Sequence, residues 1–445
     1  MKVINILLLF SILSYFRVYS QNTFEENGIM YIEDLSDPTK LAVIVVPKVS
    51  PDDPITSLYR GSIVIPSKIE HDMDTYEVTG IAKMAFRGEN LEELTIQEGP
   101  VKVGDYAFNN SALRKLSYPG SARKLSEVYG PVLEQIVLGE GIKEIFNVGG
   151  GRLTKINFPS SLVSISDLQV SRLEDEHLVL GPDIIDIARS FSNVNSLGIE
   201  INGKTAKIVD SFENCDSLQS LNLVGISDIK NSFEYCHFLT NLNLGVVENL
   251  EYSLRELESL TTLTIPESCK KINSSFWECD NLKKLQLSNG ILEIKNSFTN
   301  TNSLTELNIP SSCKSIVGSF ATSNLKELTI PKNCEIIENS FRELKALEIL
   351  KIEAGVITIK KSLQHLPKLK ALYIPANLCG TIKPGNDLKE VHLTSNDVPE
   401  KCPTYIVYPA QEKLLVYVPK GSKDNYAQLW GKQFFFPEKV VLLEE

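Results

Sequence analysis

Nine serines recur in one frame: Ser190, Ser211, Ser232, Ser253, Ser275, Ser297, Ser319, Ser340 and Ser362. A serine hydroxyl becomes a nucleophile when a base lies within hydrogen-bond reach. Only five histidines are present, His71, His177, His237, His365 and His392, and none keeps step with the serines. A residue used at the same position nine times is a structural part rather than one reactive centre. Eight cysteines offer thiol or disulfide chemistry, but no Cys-x-x-Cys pair and no histidine spacing builds a zinc site. Carboxylate neighbours such as Glu92 with Glu93 and Glu174 with Glu176 could divide acid and base work. In a chain with 56 Asp+Glu against 45 Lys+Arg they read as solvated surface, and the net charge of −11 argues against a nucleic-acid partner. Trp277 and Trp430 are the only tryptophans, which leaves little beyond Tyr373 for an aromatic sugar platform. The residues therefore predict no catalytic group, no metal ligand and no cofactor.

The elements that must carry these residues are set by an internal repeat. From Phe212 the slot after the serine recurs at Phe233, Leu254, Phe276, Phe298, Phe320, Phe341 and Leu363, in steps of 21 or 22 residues. Four residues earlier stands an aliphatic: Ile208, Ile229, Leu250, Ile272, Ile294, Ile316, Ile337 and Ile359. A second mark, apolar-x-apolar, runs from Leu94/Ile96 to Val391/Leu393 in fifteen slots spaced 19 to 22 residues apart. Recurrence at this period belongs to a leucine-rich solenoid, in which each coil buries its apolar face only against the next. Prolines such as Pro266, Pro310 and Pro331 follow the strands directly, where a missing N–H ends the ladder. The gaps leave no room for long helices. The fold class expected is mainly β: a leucine-rich repeat solenoid of about fourteen to fifteen coils of 20–22 residues, with N- and C-terminal caps.

Residue by residue, the unit Leu325-x-x-Leu328-x-Ile330-Pro331 through Ser340-Phe341 resembles the BspA-like leucine-rich repeat family. The entry segment Ile63-Val64-Ile65-Pro66 with Ala85-Phe86 is similar, as is the exit segment Val416-Tyr417-Val418-Pro419. In most coils serine replaces the family's usual alanine before the Phe slot. Coils between about residues 120 and 175 lack the Phe, and the Gly149-Gly150-Gly151 turn there implies a tightened region whose register stays open. The resemblance implies a secreted or surface-exposed bacterial protein, and the absence of a catalytic constellation in the residues reads as non-enzymatic recognition. Some relatives bind host matrix or plasma proteins or take part in cell-cell adhesion.

The chain divides into a secretory signal at residues 1–20, an N-terminal β-rich cap at 21–72, the solenoid at 73–394 and a C-terminal cap at 395–445. The signal is read from Lys2, the apolar residues 3–10, and the small residues Val18 and Ser20 before Gln21. No later stretch is long and apolar enough to span a bilayer, so a secreted or cell-surface location is expected with no transmembrane segment after signal removal. Ser422 is placed as the N-cap of a short closing helix. Cys215, Cys236 and Cys279 share a register with Leu257 and Leu344, and Cys269, Cys313 and Cys334 with Ile226 and Val247. Positions that exchange Cys with aliphatics are interior, so these thiols are expected free and buried. Cys379 and Cys402 stand outside the register, and bonding between them stays open.

Between the two strand apolars one side chain per coil points outward. This row, Asn222, Asn243, Thr264, Gln286, Asn308, Thr329, Lys351 and Tyr373, is the expected partner-binding surface, with a protein of the host extracellular matrix or of another cell surface as the partner class. The same groups could simply bond along the sheet and keep it soluble. Two alternatives are a glycan-processing or other enzyme accessory with a site in a cap, and a passive envelope spacer. A paired histidine and carboxylate, or a deep pocket, in a cap would favour the first.

Overall fold

The computed structural model describes residues 23–445 apart from 51–52, 89, 100–101, 109–111, 171–172, 174–175, 205, 354, 357, 376–377, 396–403, 407–412 and 431–439. The signal at residues 1–20, Glu174 and Cys402 lie outside the described residues, as does the side chain of Cys379. The chain is a β-solenoid of about 14 turns with almost no helix. It forms two compact units, residues 1–196 with 202–204 and residues 197–201 with 205–445.

The first unit opens with an antiparallel hairpin, Thr23–Glu26 against Ile29–Glu33. Asn27 and Gly28 make its two-residue turn with φ of 50° and 82°, the left-handed pair that matches strand twist. Ala42–Val45 adds antiparallel to the hairpin and parallel to Asp74–Ile81. Parallel stacking then takes over. Gly61–Ile65, Leu91–Ile96, Lys115–Tyr118, Gln135–Leu138 and Lys155–Ile156 form one ladder. Lys124–Tyr129, Glu144–Gly149, Ser164–Gln169 and Asp186–Ala188 form the other.

The second ladder resolves the register between residues 120 and 175. Glu127, Asn147 and Asp167 sit at positive φ, and the residue directly after each, Val128, Val148 or Leu168, is buried. The Leu168 N–H donates to the Ser190 hydroxyl at 3.1 Å and its carbonyl accepts the Phe191 N–H, so in these coils a buried aliphatic stands in the place that later coils give to serine, and no Phe follows it. Gly150 keeps the tight coil possible, because a Cβ there would meet the Gly130 carbonyl oxygen.

In the second unit one ladder aligns Ile229, Leu250, Ile272, Ile294, Ile316, Ile337 and Ile359 on successive strands. Beside it runs the Phe stack. Phe276, Phe298 and Phe320 lie 5.1 Å apart in sequence, and Phe320 and Phe341 5.4 Å apart, with planes within 3° to 7° of parallel. Three residues per coil adopt left-handed backbone, for example Asn296, Phe298 and Asn300 at φ 47°, 55° and 59°. Left-handed backbone is unfavourable for L-residues by about 1–2 kcal/mol each, so burial of the ring must hold it.

The serines explain how the buried backbone there is satisfied. From Ser211 to Ser340 each Ser N–H donates to the hydroxyl of the next coil's serine, as Ser275 does to Ser297 at 3.2 Å and Ser297 to Ser319 at 3.1 Å. Each hydroxyl in turn donates to a carbonyl two residues back, as Ser297 does to Lys295 O at 2.7 Å. Alanine could not supply either bond. Ser297→Ala is therefore expected to strip the Ser275 N–H of its acceptor and cost about 1–3 kcal/mol. Urea unfolding measures it, and an unchanged midpoint would show that the column is dispensable.

Cys215, Cys236, Cys269, Cys279, Cys313 and Cys334 are free and buried within the solenoid. At the C-terminal end Glu390–Leu393, Leu414–Val418 and Val440–Glu444 continue the parallel ladder, and Lys423–Trp430 is the α-helix. The Ser422 hydroxyl donates to Pro419 O at 2.5 Å rather than turning to the helix. The Glu444 carboxylate instead accepts from the Gly421 and Lys423 N–H groups at 3.1 and 3.4 Å. The sequence-based N-cap is thus replaced by a carboxylate from the last strand, which also complements the positive end of the helix.

Candidate functional site

The outward row is built by strands of three residues or slightly more, whose central apolar side chains point inward. Backbone pairing divides it into three sets. Asn222 lies opposite Asn243, and the Asn243 amide donates to Asn222 Oδ1 at 2.7 Å. Asn243 Oδ1 also accepts the Gly245 N–H at 3.0 Å, fixing the turn that follows. Thr264, Gln286 and Asn308 are consecutive partners in a second sheet. Thr329, Lys351 and Tyr373 are consecutive partners in a third. Asn222 and Tyr373 are half-buried and the other six exposed.

Gln286, Asn308 and Thr329 share one concavity of about 1060 Å³. Lys284 and Lys326 line it beside Glu267, Glu306 and Glu327. Lys284 and Glu306 are in-register neighbours, so the floor carries alternating charge between uncharged amides and hydroxyls. Such a surface can donate and accept hydrogen bonds over several coils, but it focuses no field of one sign. It suits a protein surface of mixed polarity better than a strongly charged small ligand.

Beyond Tyr373 the row continues into residues that sequence reasoning left out. His392 stacks on Tyr373 with centroids 4.1 Å apart and on Tyr417 at 4.5 Å. Lys351 Nζ covers the far face of Tyr373 at 5.6 Å. The signal was available, since Val391/Leu393 is a strand slot and His392 is its central residue. His392 Nδ1 meets the Glu445 carboxylate at 2.9 Å, Nε2 is 3.5 Å from Glu390, and the residue is 7% exposed.

A histidine–carboxylate pair in a cap would favour an enzyme. Among the described residues, His392 beside Glu445 has both ring faces covered, by Tyr373 and Tyr417, and His71, 3.4 Å from Glu26, lies with one face flat on Phe24 at 3.9 Å. The N-terminal concavity of about 360 Å³ is lined by Asp34, Asp37, Lys40, Glu77, Thr79 and Lys102, among others, with no histidine, cysteine or tyrosine in its lining. The Thr79 hydroxyl, 2.6 Å from Asp34, and Ser36 hold the Asp34 carboxyl below the usual carboxylate range. An aspartate kept ionised in this way is a poor proton donor. No helix among the described residues is long and apolar enough to cross a membrane.

The family model for the BspA type leucine rich repeat region matches residues 67–170, 144–245, 178–276, 209–319 and 273–383. Among solved structures, a leucine-rich repeat protein from Bacteroides ovatus is 14% identical, with 94% of this chain and 99% of that one covered and a TM-score of 0.41. A leucine rich cell surface protein from Faecalibacterium prausnitzii is 14% identical over 75% and 95%, with a TM-score of 0.34. The pneumococcal vaccine antigen PcpA is 17% identical over 95% and 99%, with a TM-score of 0.31. No curated protein matches the chain.

Proposed function

Because the chain belongs to the BspA-type leucine-rich repeat family, we propose that it is an exported recognition protein that binds another protein through the outward strand row. The observation that carries this reading is the in-register set Thr264, Gln286 and Asn308, whose last two members share the concavity with Thr329. Repeat scaffolds use such extended faces for partners. Export rests on the basic-then-apolar residues 2–10 with small residues before Gln21, and the family resemblance supports a host matrix or another cell surface as the partner class. Lys351 and Tyr373 belong to the same row and extend the contact towards the Tyr373–His392–Tyr417 stack.

The test has two steps. Chain lacking residues 1–20 is first bound to immobilised extracellular-matrix preparations and to cell-surface extracts, and the retained partner is purified. Direct binding is then compared between wild type and a variant with Asn222, Asn243, Thr264, Gln286, Asn308 and Thr329 alternately replaced by Lys and Glu. The variant is expected to fold, since it loses only a few tenths of a kcal/mol per position from the polar ladder, and to lose measurable binding. Unchanged affinity would remove the strand row from the site. A single change such as Asn243→Ala should matter little unless it falls on a hot spot.

A further inference from the structure

Three consecutive turns, at residues 234–238, 255–259 and 277–281, gather aromatic and acidic side chains away from the strand row. Backbone bonds fix their register. The Tyr235 N–H donates to Arg255 O at 3.2 Å, Glu256 N–H to Trp277 O at 2.8 Å and Glu278 N–H to Thr299 O at 3.0 Å. Glu234, Arg255, Trp277 and Thr299 therefore follow one another in a single row. Arg255 lies over the indole with its guanidinium carbon 4.8 Å from the Trp277 ring centroid, and its Nη1 is 3.6 Å from Glu234 Oε2. Thr299 is too short to cover the indole from the other side. Phe238 is 59% and Trp277 36% exposed.

Charge on these turns is lopsided. Glu234, Glu256, Glu258, Glu278 and Asp280 face one cation, Arg255, whereas the next two turns, at 299–303 and 321–324, carry no charge. On the other side the preceding turn, at 213–217, adds Glu213 and Asp216 without a cation, so the acidity covers four turns and stops at 299.

We propose that this turn edge is a second interaction surface and that its occupant is an arginine-rich extended segment of a partner protein. Arg255 displays the recognition geometry within the chain: a guanidinium flat on an indole with a carboxylate at its edge. A ligand arginine takes the side of Trp277 next to Thr299 and pairs with the carboxylates of neighbouring turns. Arginine is favoured over lysine because its plane stacks and its fork pairs with two oxygens. The surrounding carboxylates steer a cationic segment in and repel anionic ones.

Only two tryptophans are present, so Trp430→Phe in the full chain leaves Trp277 as the sole indole. Titration with a peptide of Arg-Gly repeats should change its emission saturably, and a citrulline-Gly peptide of equal length should not. By anisotropy of the labelled peptide, which needs no Trp430 change, Trp277→Leu should weaken binding about tenfold with an unaltered unfolding midpoint. Glu256→Gln with Glu258→Gln should weaken it and flatten its salt dependence. Equal binding of the citrulline peptide, or unchanged affinity of Trp277→Leu, overturns the proposal. The strand-row variant should bind the peptide as wild type does, and loss there would overturn the assignment to the turns while leaving the strand-row reading intact.

Discussion

Replacing Phe298 by alanine is expected to destabilise the second unit by about 4 kcal/mol, within the range for large-to-small core changes. The ring is fully buried and sandwiched between Phe276 and Phe320, each 5.1 Å away. Deleting it removes apolar burial and two ring contacts and leaves a cavity whose walls are pinned by the coil spacing. It also leaves a residue at φ 55° without the ring that anchored that backbone. Leucine should do much less harm, at about 1 kcal/mol, because Leu254 and Leu363 fill the same slot, fully buried, in other coils. Urea unfolding of both variants measures the difference. Equal midpoints for alanine and leucine would show that the stack does not control stability.

A second large effect is expected in alkali. Burial pushes the thiols of Cys269 and Cys279 up to about 12 each, whereas an unfolded thiol titrates near 8.5. The folded state keeps these protons while the unfolded chain releases them. Their contribution is whole below the unfolded value and falls as pH rises towards 12, by about 1.4 kcal/mol per pH unit for each thiol. The double variant Cys269→Val, Cys279→Leu places in these positions the residues found there in other coils, Val247 and Leu257. Buried tyrosines such as Tyr118, also raised by desolvation, add their own alkaline loss to both proteins. The difference between wild type and variant isolates the thiols and should grow from pH 9 upward. Parallel stability curves would mean that the thiols ionise freely in the fold.

The repeat was legible because burial dictates it. Aliphatics at Ile208, Ile229 and their successors, and the Phe slot four residues on, can only be explained by stacked coils, and the backbone pairs them as the spacing implied. Cysteines exchanged with aliphatics reported their own burial in the same way. The tightened coils were harder to read, since Val128, Val148 and Leu168 resemble ordinary strand residues once the Phe is gone. The left-handed triplets left only a faint trace in Asn296, Asn300 and Asn339, because Thr322 and Glu343 take the same backbone without a telling side chain. The outward row was found by alternation, but its division after Asn243 and Asn308 depends on how turns tilt the next strand. The turn-edge cluster carried no periodic signal, as its aromatics occur in single coils.

The serine column has a bearing on chemical ageing. Asn231-Ser232, Asn296-Ser297 and Asn339-Ser340 are sequences prone to deamidation, in which the backbone nitrogen after asparagine attacks the side-chain carbonyl. In each, that nitrogen is held by the next coil's serine hydroxyl, at 3.2, 3.1 and 3.0 Å. The attacking atom is engaged and aligned away from its target for as long as the coil stays closed. Isoaspartate at these three sites should therefore form only in chains that have opened, so that peptide mapping of aged protein would count past unfolding events coil by coil.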